Sequence, residues 1–132
     1  MILINIYFAW CWFLMGLLSG MIQGLRFHRD DWMGGYNSWP RRLTRLGHIA
    51  FFGTGMLNLL FAFTVLLTEI DHDFLTWASP LLIAGAFFMS GICYLSAWRK
   101  AFRQLFFLPV LCLVSGTTLF TCALLGHAIQ GG

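Results

Sequence analysis

Between Ile2 and Leu25 the chain carries no charged residue. A run of that length constrains the fold more than any other feature. A hydrocarbon core about 30 Å thick is crossed by ~20 helical residues, each rising about 1.5 Å. Three further apolar runs follow, at about 46–68, 80–98 and 105–129. Inside lipid every backbone N–H and C=O must find a partner in the chain, so these runs are expected as helices. No alternating pattern of the kind barrel strands require is present. The first run has no basic residue before it and exceeds the ~7–15 apolar residues of a cleaved signal. It is read as a retained first span.

Composition agrees. The 132 residues are 59% hydrophobic and 10% charged, with a mean hydropathy of +0.78. Soluble domains carry about 25% charged residues, enough to cover a wet surface. The expectation is one integral membrane domain, 1–132, folded as an all-α bundle of four transmembrane helices running up-down-up-down.

Charge then orients the bundle. Arg26, Arg29, Arg41, Arg42 and Arg45 flank the first loop, and Arg99, Lys100 and Arg103 flank the third. The second loop has no basic residue and carries Glu69, Asp71 and Asp73. All eight bases thus fall on one side of the four-span arrangement. By the positive-inside rule, loops 1 and 3 are cytoplasmic and both termini lie outside, in a bacterial inner membrane. The bases hug the span ends, so their partners are anionic lipid head groups rather than nucleic acid.

Turn and cap signals punctuate the runs. Gly34-Gly35 breaks the first loop, Ser38 is an N-cap candidate, and Pro40 sits early in the second helix. Trp32, Tyr36 and Trp39 read as interfacial aromatics. Ser79-Pro80 marks a start for the third helix. Pro109 removes a bond to Leu105 near the start of the fourth. The four cysteines, at 11, 93, 112 and 122, form no C-x-x-C pair and read as small hydrophobes. A disulfide between Cys11 and Cys122 is open, since both lie in the outer half.

Small residues let helices approach in lipid. Gly16, Gly20 and Gly24 form a stripe on the first helix that continues to His28. Ala84, Gly85 and Gly91 on the third helix, and Cys112, Gly116 and Ala123 on the fourth, offer similar faces. Packing within the bundle is the simpler reading. The alternative is room for a flat ligand or a partner chain.

His48 carries the sharpest functional expectation. It lies two turns into the second helix, on a face with Arg41, Thr44, Phe52, Gly55 and Ala62. Ionisable residues within a membrane are rare and mark candidate sites. His28 could approach it from the first helix, while His72 and His127 form a second, outer pair. Two imidazoles from different helices can ligate the iron of a b-type haem, so His48 and His28 are the metal-ligand candidates. Gly55 would give the ring room, and Arg41 or Arg45 would neutralise the propionates. His127 is the outer-end candidate. A quinone contact at His48 is the haem-free form of the same reading.

Two polar clusters take a structural reading in preference. Glu69, Asp71, His72 and Asp73 match no metal-binding spacing and read as an acidic outer loop. His28, Arg29, Asp30 and Asp31 read as ion pairs that fix the first loop. There is no Walker loop, no G-x-S-x-G, no H-E-x-x-H, no C-x-x-C-H and no dinucleotide fingerprint. The working expectation is a small subunit of a membrane redox, respiratory-type assembly, not an enzyme on its own. It would hold haem b or contact quinone through His48 and His28, with other membrane subunits as partners. A cofactor-free structural subunit is the alternative, and a small enzyme acting on a lipid is the third.

Overall fold

The structure is a computed structural model that describes residues 2–70 and 73–131. Four long helices account for nearly all of it: α1 (Ile2–Gly24), α2 (Trp39–Thr68), α3 (Phe74–Trp98) and α4 (Phe107–Gly131). Short 3-10 segments at Trp32–Gly34 and Lys100–Phe106 join α1 to α2 and α3 to α4. No strand occurs among the described residues. All four helices are long and apolar enough to cross a membrane.

α2 begins at Trp39, well before its apolar stretch. The reason is local. Ser38 Oγ accepts from Arg41 N–H at 3.3 Å, Pro40 occupies the first turn, and arginines are good helix formers. The Ser38 cap and the early Pro40 therefore stand as read. The helix ends at Glu69, whose left-handed φ of 52° closes it where glycine is usual.

α3 starts at Phe74, ahead of Pro80, which lies inside the helix. Pro80 forfeits only the bond to Thr76, close to the helix start, where one missing bond is tolerated. Pro109 falls in the first turn of α4, where its absent N–H has no partner to lose. Gly34 and Gly35 take positive φ values of 84° and 94°, which turn the first loop as expected.

The helices pack in sequence order, α1 on α2, α2 on α3 and α3 on α4, with α1 touching α3 more lightly. α2 and α3 are the most buried, while α1 and α4 expose most of their apolar surface. Glycines set the approach. A Cβ on Gly16 would fall 2.9 Å from the Phe52 ring, one on Gly47 2.9 Å from the Tyr94 ring, and one on Gly85 2.6 Å from Leu113. Phe120 on α4 meets Phe61 on α2 edge-on at 4.8 Å. Ala9, Ala78, Ala86 and Ala123 are fully buried between helices, which is the small-residue packing lipid favours.

One polar knot ties three helices together. Asn5 Nδ2 donates to Asn58 Oδ1 at 2.8 Å, and Ser79 Oγ donates to Asn5 Oδ1 at 2.5 Å. Asn58 Nδ2 donates to the carbonyls of Thr54 and Leu82 at 2.9 and 3.2 Å. Asn5, Asn58 and Ser79 are all fully buried. Such bonds are worth about 0.6 kcal/mol each in lipid and up to ~1.7. Their larger role is geometric, since a half-satisfied buried set would be costly.

Candidate functional site

His48 is half-buried on α2, facing α1. A Cβ on Gly20 would fall 2.6 Å from its Cε1, so the absent side chain at Gly20 is what admits the ring. Phe52, one turn on, holds the imidazole edge-on at 5.4 Å. The ring's Nδ1 is buried and makes no hydrogen bond. Buried polar nitrogens are almost always paired, so an unpaired one within a spanning helix makes His48 a candidate site residue.

The other sequence candidates are distributed around this point. Gly55 makes room, and Phe13 of α1 fills it: a Cβ there would lie 2.7 Å from Phe13 Cε1. His28 is exposed in the turn after α1, and His127 is exposed near the end of α4. His72 and Asp71 lie outside the described residues. Among the described residues, no group of three or more His, Cys, Asp or Glu is placed to hold a metal. Cys11, Cys93, Cys112 and Cys122 are free thiols.

Arg41 is buried, with 4% of its surface exposed, and its setting is aromatic. The guanidinium lies 5.2 Å from the Phe27 ring and 5.6 Å from each of the Trp32 and Tyr36 rings. It donates to the Phe27 carbonyl at 3.4 Å, and its Nε makes no bond. Arg45 covers the same Tyr36 ring at 4.2 Å and donates to the Tyr36 carbonyl at 3.3 Å. The first loop is therefore held down by cation–π contacts, each worth about 0.5–2 kcal/mol. The Arg29–Asp31 pair, at 3.9 Å and well exposed, contributes little beside them.

A residue set that the sequence reading did not single out lies beside this cage. Ser19 and Gln23 on α1 meet Tyr94 on α3 at the wall of a groove of about 690 Å³. Thr44 and Phe51 of α2 also line the groove, as does Trp32 from the arginine cage. The available signal was slight: Ser19 and Gln23 stand four apart in a charge-free run, and so share a helix face.

The fit of a flat cofactor can be judged from the glycines. The spaces at Gly16, Gly20 and Gly55 receive the rings of Phe52, His48 and Phe13. As packed, α1 and α2 leave no slot there for a porphyrin. The polar residues that line the neighbouring apolar groove are Ser19, Gln23, Thr44 and Tyr94, and His48 is not among its lining residues. Comparison with protein-family models, curated proteins and solved structures finds no match to this chain.

Proposed function

We propose that the chain is a small multi-pass subunit of a redox assembly in a bacterial inner membrane, contacting quinone near the basic ends of α1 and α2. The buried, unpartnered Nδ1 of His48 carries this reading. Up-down-up-down topology with loops 1 and 3 cytoplasmic supplies the frame. Its support is the order of the contacts: Gly20 meets His48 while Gly16 meets Phe52 and Phe13 meets Gly55. Lys100 also lies 5.9 Å from the Trp39 ring, which brings the third loop to the first.

The test begins with mild extraction from native membranes. Co-purification with oxidoreductase subunits is the expected result, with His48→Gln lowering quinone-linked turnover of the assembly. A chain that always runs alone, or a His48→Gln assembly with unchanged turnover, overturns the reading. An absorption spectrum decides its haem form, which requires a Soret band lost in His48→Ala.

A cofactor-free docking subunit is the second reading. Gly24, Gly53, Gly91 and Gly126 have no neighbour within 4 Å of a Cβ position. These are backbone-level bays on which another chain's helix could rest.

A further inference from the structure

The groove beside Arg41 contains a proton count that points to a ligand. Gln23 Nε2 donates to Ser19 Oγ at 2.9 Å and more loosely to Tyr94 OH at 3.4 Å. Ser19 and Tyr94 are hydrogen-bonded to each other through their hydroxyls. Each hydroxyl carries one proton, and the bond between them uses one. If Tyr94 donates, the Ser19 proton is left over. If Ser19 donates, the Tyr94 proton is left over. Gln23 gives to both and takes from neither. With the Gln23 amide donating to both, one O–H is undonated in either arrangement, and both residues line the groove.

We propose that this groove binds the head group of a quinone-type prenyl lipid, one of whose carbonyl oxygens accepts the spare hydroxyl proton. The volume, about 690 Å³, suits a small amphiphile, since ligand pockets run about 300–1,000 Å³. The rest of the lining is flat or soft: the rings of Trp32, Phe51 and Trp98, and the thioethers of Met15 and Met33. An acyl chain would fill the volume but offers no acceptor along its length. A flat ring carrying carbonyls matches both the faces and the donor. Leu18, Ile22 and Trp98 at the rim are exposed, so a long tail can pass out into lipid. The choice of a quinone rests on the redox reading; the groove and its spare proton do not.

The proton count makes an unusual mutational signature. In Ser19→Ala the Tyr94 proton is still free, and in Tyr94→Phe the Ser19 proton is. Each single variant of the purified full chain should bind a decyl-substituted benzoquinone within about threefold of wild type. Ser19→Ala/Gln23→Met/Tyr94→Phe removes all three members of this hydrogen-bonded set at nearly constant shape and should weaken binding about tenfold or more. Leu18→Trp, at the exposed rim, should block entry without touching the core, and it serves if the triple variant does not fold. The measurement is saturable quenching of tryptophan fluorescence, with phosphatidylglycerol as competitor. Absence of saturable binding to wild type, wild-type binding by both the triple and Leu18→Trp variants, or displacement by equimolar phosphatidylglycerol overturns the proposal. Quinone binding that follows the variants, in a chain found in no redox assembly, upholds the groove and removes the redox reading alone.

Discussion

The imidazole of His48 lies against the bare α-carbon of Gly20, so close that a methyl group there would fall 2.6 Å from Cε1 and 3.2 Å from Nε2. Gly20→Ala must therefore turn the ring or part α1 from α2. The expected cost is about 1–3 kcal/mol, as for other overpacked contacts. Gly24→Ala meets nothing and should gain up to about 1 kcal/mol from helix propensity. Thermal melts of both variants in detergent check the contrast; equal melting temperatures would count against the contact.

The polar knot predicts an order of effects. Asn58→Ala removes three hydrogen bonds and leaves Asn5 Nδ2 only its longer bond to the Ser79 carbonyl at 3.5 Å, whereas Thr64→Ala removes one bond within α2. Asn58→Ala should cost about 1–3 kcal/mol and Thr64→Ala under about 0.5. Reversible unfolding in mixed micelles reads both. A Thr64 effect as large as the Asn58 effect would contradict the knot.

The aromatic cage around Arg41 should govern the first loop. Arg41→Met keeps much of the side-chain volume and removes the charge from three rings. Opening of the loop should become easier by about 1–2 kcal/mol, roughly a tenfold rise in trypsin cleavage at Arg29. Arg41→Lys should fall between, since an ammonium keeps the charge but not the planar fork.

Sidedness has a direct assay. In a background with all four native cysteines replaced, Asn37→Cys and Gln104→Cys should react with a membrane-impermeant maleimide only after the cytoplasmic face is opened. Asp73→Cys should react from outside. Labelling of all three from one side would rule out the proposed topology.

The sequence revealed the four helices plainly, because lipid demands long charge-free runs and the runs are there. It placed helix ends less well. Hydropathy marks where lipid begins, and α2 continues through Arg41, Arg42 and Arg45 because a charged flank is still a good helix. Ser38 and Pro40 were readable because a cap is a local matter. Asn5 was not, since its importance depends on Asn58 and Ser79, which are far away in sequence. His48 stood out as an imidazole in an apolar face. Tyr94 and Gln23 did not, because a single polar side chain in a span becomes informative only when its neighbour across the helix interface is known.

The distribution of polar contacts divides the chain in time as well as space. Every described side-chain hydrogen bond between spanning helices joins α1, α2 or α3; α4 is held by shape alone, through Leu113 against Gly85 and Gly116 against Leu81 and Leu82. A methyl at Gly85 would press on the Leu113 backbone nitrogen at 3.1 Å, so Gly85→Ala should loosen α4 and leave the knot intact. During synthesis the first three helices can complete every directional bond they will ever share before the fourth leaves the ribosome. The last helix then docks on a surface the first three have already set, and among the described residues its contacts with them are matters of shape.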